Sequence, residues 1–207
     1  MIRFDIDQGS EAWFEARLGR VTGTRFQNLM SKETTDSYQT LITNIACEIV
    51  SGRGEEGYSN ALMEAAKEIE PIARAEYESM FDVKVSLPGF VIPDEDNPFH
   101  NWVGVSPDGL CGRGGLEIKC PLMRTHFEYI LGGKLPTTYR HQVQGSLFVT
   151  GLDYWDFMSY SPGLKPFVIR VYPDAGLHEE YESRLVSLIH AVENKISVYN
   201  KYDYQNE

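Results

Sequence analysis

Asp108, Glu117 and Lys119 lie within one short stretch, VSPDGLCGRGGLEIKCP (105–121), between apolar residues and glycines that need no such charges. Alternate residues of a strand face the same side. Glu117 and Lys119 therefore project together, and Leu116, Ile118 and Cys120 point to the other, apolar face. A tight turn through CGRGG folds the strand ending at Asp108 back, setting its carboxylate beside Glu117. Two carboxylates held close repel, and their burial is costly without a counter-charge. A divalent cation resolves the repulsion. Mg²⁺ or Mn²⁺ suits hard oxygen ligands with positions left for water and a substrate phosphate. The Ile118 carbonyl is a candidate third ligand. Lys119 is placed to orient or deprotonate a bound water, or to stabilise charge on a scissile phosphate. The chemistry implied is phosphodiester hydrolysis. E-x-K also occurs as a solvated ion pair, and S-P-D-G as an ordinary turn. The apolar flanks of both acids favour the site.

Elements that could position these residues follow from periodicity. SEAWFEARL (10–18) reads as a short helix with Ser10 as N-cap. Thr22 is a candidate cap for a second, GTRFQNLM. Residues 36–52 and 59–81 carry apolar residues at helical spacing, the second interrupted by Pro71. KVSLPGFVIPD, NWVGVSPDGL and GLEIKC read as strands, 122–132 and 136–151 as helices, YWDFMSYS and PFVIRVYP as strands, and 176–202 as a final amphipathic helix. This order predicts an α/β (α+β) domain with one central mixed β-sheet flanked by helices. The 207 residues suggest a single domain, 1–207.

Bulk properties narrow the class. Three unevenly spaced cysteines, Cys47, Cys111 and Cys120, form no C-x-x-C pair, which disfavours a disulfide framework or zinc site and fits a reducing compartment. No cysteine follows Cys120, which leaves no ligands for a four-cysteine iron–sulfur cluster there. No apolar run approaches the ~20 residues of a membrane span, and MIRFDIDQGSEAW has acids where a signal peptide needs its apolar core. A cytoplasmic location is expected, that of the bacterial host if the chain is phage-encoded. The net charge of −11 disfavours nucleic-acid binding over the whole surface, so any DNA contact must be confined to a groove or channel.

With these residues in view, SPDGL…GLEIKCP resembles the PD-(D/E)xK nuclease superfamily and its restriction-endonuclease-like core. More narrowly, the chain resembles the lambda exonuclease family of viral recombination nucleases. AWFEARLGRVTGTRF (12–26) matches that family's W-x-x-x-R-x-G-x-x-T-[AG]-[ST] block, AAKEIEPIAR (65–74) its G-x-x-x-E-x-x-A-R helix, and YRHQVQGSLFVTG (139–151) its Q-V-Q helix. The motifs stand in the family's order across residues 12–151. Ala66 replaces a frequent glycine, and Arg124 is offset by about one position from the arginine that follows C-P in the family.

The resemblance implies roles that the residues alone leave open. Glu70, between Lys67 and Arg74, reads by itself as part of a helix-surface ion-pair ladder; the family makes it an active-site carboxylate. Gln142 reads as a capping or surface amide; the family puts it in the active site, orienting water or phosphate. Arg17 reads as a surface cation balancing Glu11 and Glu15. By resemblance it binds the 5′-terminal phosphate, which its rigid fork suits. Thr24 adds a hydroxyl to that site, and Arg20 is a further candidate. Met63 aligns with an apolar wedge position, or is core.

The implied activity is 5′-to-3′ degradation of one strand of duplex DNA from a 5′-phosphorylated end. It releases mononucleotides and leaves 3′ overhangs, with two Mg²⁺ held by Asp108, Glu117 and Ile118. The implied partners are double-stranded DNA ends, a single-strand annealing protein, and further copies of the chain in a homotrimeric ring. A restriction-like endonuclease, a RecB-type nuclease domain and a non-enzymatic DNA-end clamp are the competing readings.

Overall fold

A computed structural model describes residues 1–54 and 61–202; within the latter, the side chains of residues 61–65 and of Lys67 are not described. The elements in chain order are β1 (Ile2–Phe4), α1 (Glu11–Arg17), β2 (Val21–Thr22), α2 (Arg25–Leu29), α3 (Asp36–Ser51), α4 (Ala61–Phe81), β3 (Phe90–Ile92), β4 (Val103–Gly104), β5 (Gly109–Cys111), β6 (Gly114–Lys119), α5 (Met123–Gly132), a 3₁₀ turn (Thr137–Tyr139), α6 (Arg140–Thr150), β7 (Tyr154–Ser159), β8 (Phe167–Val171) and α7 (Ala175–Asn200). Mixed α/β architecture is as the periodicity predicts.

The central sheet has four strands in the order β5-β6-β7-β8, with only the β6–β7 pair parallel. A parallel pair needs a crossover, and α5, the 3₁₀ turn and α6 supply it. Two small pairs, β1–β3 antiparallel and β2–β4 parallel, stand beside this sheet. Isolated bridges Val91–Val105 and Ser86–Leu110 link them along the chain to β5. The long strands expected over 84–94 and 101–110 are thus short pieces. Prolines at 88, 93 and 107 supply no ladder N–H and break them.

The two faces of the sheet are covered differently. Trp155 and Phe157 belong to a large core with Phe26 of α2, Leu41, Ile42 and Ile45 of α3, Leu147 of α6, and Leu185 and Leu188 of α7. Leu116, Ile118, Met158 and Cys111 pack on Ala73 and Tyr77 of α4. Leu116 is fully buried and Ile118 nearly so, and Cys120 packs at the margin of that cluster, as the alternation of GLEIKC predicts. Gly115 must be glycine, because a Cβ there would fall 2.3 Å from the Trp155 ring.

Ser10 caps α1 by accepting from the Trp13 N–H, as expected. Thr22 does not cap a helix. It is buried in β2, paired with Gly104, and α2 begins only at Arg25 with Thr24 at its N-cap. Parallel pairing with β4 overrides the local capping signal. α4 runs through Pro71 without interruption. Among the described residues no helix is long and apolar enough to cross a membrane.

Candidate active site

The β5–β6 hairpin closes through Gly112 and Arg113, with Cys111 opposite Gly114. Gly112 has φ +56°, the left-handed value that a glycine-first two-residue turn requires. The register Gly109–Leu116 brings Asp108, one residue before β5, to the level of Glu117. The Asp108 carboxylate accepts from the Ile118 N–H at 2.7 Å. A strand residue sends its N–H and C=O to the same edge, so the Ile118 carbonyl also faces the Asp108 edge. The Lys119 carbonyl, facing the other way, accepts from the Tyr160 N–H at 2.9 Å.

Glu117 is only 2% exposed. Its Oε1 accepts from the Lys119 ammonium and, at 2.6 Å, from Nε2 of Gln142 on α6. Lys119 also lies 5.5 Å from the Tyr139 ring centre, within cation–π range. Burial alone would lower the Lys119 pKa, but Glu117 and Asp108 outweigh it and the shift is upward. The ammonium is therefore held charged.

Glu70 and Arg74 approach from α4. Arg74 ion-pairs with Glu70 at 2.5 Å, and its Nε donates to the Asp108 carbonyl at 3.1 Å. The ladder expected on a helix surface thus turns inward. Together with Gln8, Leu87, Pro107 and Asp108, the pair lines a cleft of about 200 Å³. Residues 70, 74 and 77 share one helix face. Tyr77 fixes that face by donating to Asp156 of β7 at 2.6 Å, and Arg170 of β8 braces Asp156 from two nitrogens at 2.9 and 2.8 Å.

Burial, then repulsion from Glu117, raises the Asp108 pKa well above the ordinary carboxylate value; Lys119 offsets this only in part. Burial also raises that of Glu70, against the pull of Arg74 and Lys119. Excess negative charge on an oxygen-rich edge suits a hard divalent cation held by Asp108, Glu117 and the Ile118 carbonyl. Among the described residues no group of three His, Cys, Asp or Glu side chains forms a metal cage. Mg²⁺ needs none, since one or two carboxylates plus water and substrate oxygens suffice.

A second cluster adjoins the first. Ser106, two residues before Asp108, accepts at its Oγ from Arg17 Nη1 and from Trp13 Nε1, both at 2.9 Å. Those bonds occupy both hydroxyl lone pairs, so the hydroxyl hydrogen is left as a donor. Arg17 also stacks on the Trp13 ring at 4.1 Å. Desolvation, then the nearby Arg25, lower its pKa to about 10, so it remains charged at neutral pH. Thr24 is exposed and makes no capping hydrogen bond. Arg20 is committed elsewhere, bonding the carbonyls of Ala16 at 3.1 Å and His100 at 2.6 Å as a brace.

Sequence reasoning missed Ser106, Arg25 and Glu48. For Ser106 a signal was present, because it lies on the chain just before the candidate acid Asp108. For Arg25 and Glu48, 23 residues apart, there was none. Met63 has its side chain outside the described residues. Arg124 is solvent-exposed and paired with Glu128 at 3.1 Å.

Residues 12–153 match the model of the YqaJ-like viral recombinase domain. The fold superposes on an alkaline exonuclease, LHK-Exo, from Laribacter hongkongensis, with TM-score 0.82 and 34% identity over 93% of this chain and 97% of that one. That enzyme's structure in complex with dAMP matches equally well. A phage-related exonuclease from Haemophilus somnus 129PT shares the fold alone, with TM-score 0.65 and 11% identity over 87% of this chain and 96% of that one. No curated protein shows significant sequence similarity to the chain. The motif-bearing stretch, the Asp108–Glu117–Lys119 cluster and this likeness agree: the chain belongs to the YqaJ-like viral recombinase domain family, nucleases of the lambda exonuclease type.

Proposed function

We propose that this nuclease is a Mg²⁺-dependent 5′-to-3′ exonuclease. It degrades one strand of duplex DNA from a 5′-phosphorylated end, releasing mononucleotides and leaving 3′ overhangs for recombination by strand annealing. The observation that carries the reading is Ser106. It belongs to the arginine pocket, yet only two residues of chain, at most about 7 Å, separate it from Asp108. A terminal phosphate held by Arg17, the Ser106 hydroxyl and Thr24 sets the adjacent phosphodiester against the carboxylates. Capture of dAMP by the Laribacter enzyme supports a mononucleotide product.

Bound Mg²⁺, two ions with Mn²⁺ as a possible substitute, would polarise the scissile phosphate and lower the pKa of the attacking water. Asp108, Glu117 and the Ile118 carbonyl hold that charge in place. Lys119 orients the attacking water and stabilises the developing negative charge. Gln142 fixes the Glu117 carboxylate, and Arg74 holds Glu70 at the mouth of the cleft. A homotrimeric ring with DNA in its channel reconciles the net charge of −11 with DNA binding. A single-strand annealing protein would take the exposed 3′ strand.

The test is digestion in Mg²⁺ of linear duplex with 5′-phosphate or 5′-hydroxyl ends and of a closed circle, with products sized. Mononucleotides from the phosphorylated duplex, little from the hydroxyl duplex and an intact circle are expected. Cutting of the circle would sink the exonuclease reading in favour of an endonuclease.

A further inference from the structure

Glu48 of α3 is a buried acid outside the catalytic cluster and outside every motif. It is 8% exposed. Its carboxylate ion-pairs with Arg25 Nη2 through one oxygen. The other oxygen accepts from Arg25 Nη1 at 3.0 Å and from the Gly19 N–H at 2.9 Å. Arg25 Nη1 also donates to the Arg20 carbonyl at 2.8 Å. One carboxylate therefore ties the turn after α1 to the first residue of α2.

The fork–fork geometry uses donors of Arg25 that would otherwise be available to phosphate. Arg20 is similarly engaged with backbone carbonyls. Arg17, in contrast, forms no ion pair with a carboxylate among the described residues; it bonds the Ser106 hydroxyl and stacks on the Trp13 ring, with Arg25 and Glu48 as its charged neighbours. Arg17 and Arg25 lie close enough to repel, and Glu48 restrains the second of them.

We propose that Glu48 is a specificity-determining positioning residue: by restraining Arg25 it confines the pocket to the single doubly charged phosphate of a DNA terminus. A released Arg25 would add a mobile cation able to take any backbone phosphate, including those of a 5′-hydroxyl end. The inference rests on the reading of the Arg17 pocket as the 5′-phosphate site.

Glu48→Gln is the test, since glutamine keeps the size and an acceptor for Gly19 but cannot accept both arms of Arg25. The KM for 5′-hydroxyl duplex should fall about tenfold, with kcat/KM on 5′-phosphorylated duplex nearly unchanged. The slope of log affinity against log salt for duplex in Mg²⁺-free buffer should steepen by about 0.9, the signature of one additional phosphate contact. Adding Arg25→Gln should restore the wild-type slope. Equal loss on both substrates with an unchanged slope would mean a merely structural role and overturn the proposal. So would a steeper slope that survives Arg25→Gln. A wild type that prefers the phosphate, with Glu48→Gln behaving identically, overturns this inference alone. A wild type indifferent to the 5′ phosphate overturns the pocket reading and this inference together.

Discussion

The acidic cluster and the arginine cluster adjoin along residues 106–108 but carry opposite imbalances. On one side Asp108, Glu117 and Glu70 face Lys119 and Arg74, three carboxylates against two cations. On the other Arg17 and Arg25 face Glu48, two guanidiniums against one carboxylate. Each side is left short of a counter-ion, and a partly buried excess charge is destabilising until one arrives. The difference separates the tasks: the acid-rich edge suits a cation, and the arginine pocket suits an anion. In the proposed reaction a DNA end with its metal ions would supply both.

Asp108→Asn attacks the acidic side and should have the largest effect. Nucleotide release in Mg²⁺ should fall by about 10³-fold or more, about 4 kcal/mol of transition-state stabilisation. Retained release would remove Asp108 from the mechanism. Arg17→Ala attacks the other side. On 5′-phosphorylated duplex kcat/KM should drop by about 10–100-fold, the range for a hydrogen bond to a charged group, with little change on 5′-hydroxyl duplex. Equal losses on both substrates would show that Arg17 does not read the end.

Gln142→Ala removes a neutral donor from Glu117, and kcat should fall by about tenfold. Gln142→Glu should be worse, because it adds a carboxylate to the side already in excess. A Glu variant as active as wild type would contradict the charge argument.

The smallest effect is on stability. The Asp108 pKa is raised on folding, by burial and then by Glu117. A group raised in this way stabilises the fold when protonated, and that contribution is lost as pH rises through the folded-state value. In metal-free buffer, wild-type Tm should therefore decline toward neutral pH more than that of Asp108→Asn. At neutral pH the variant should melt about 2–4 °C higher, the response of a chain this size to about 1 kcal/mol. Added Mg²⁺ should narrow the gap by stabilising the wild type alone. A variant that melts lower in metal-free buffer would show that the ionised Asp108 is not a destabilising charge.

The two sides also differ in how far the sequence reveals them. Asp108, Glu117 and Lys119 lie within twelve residues, where strand alternation and one glycine turn dictate relative placement. That geometry is local and follows without knowledge of the rest of the fold. The resemblance brought in Glu70, Gln142 and Arg17, but not their partners. Nothing local tells that Arg74 reaches the Asp108 carbonyl 34 residues away, or that Gln142 meets Glu117 across 25 residues. Thr22 shows the converse failure. It had a plausible local reading as a helix cap, and parallel pairing with Gly104 gave it another job.

The sequence by itself determined the alternating mixed architecture, the hairpin that joins two acids and a lysine, and the class of chemistry they can perform. Each depends on periodicity or on contacts a few residues apart. Only the tertiary structure decided that Ser106 joins the arginine pocket to the acidic edge, that Glu48 restrains Arg25, and that α4 turns Glu70 and Arg74 into the cleft. Those contacts bridge 23 to 89 residues of chain. They exist because burial of the Trp155 face and the Tyr77 face of one sheet brings distant segments together, and no short-range spacing encodes that.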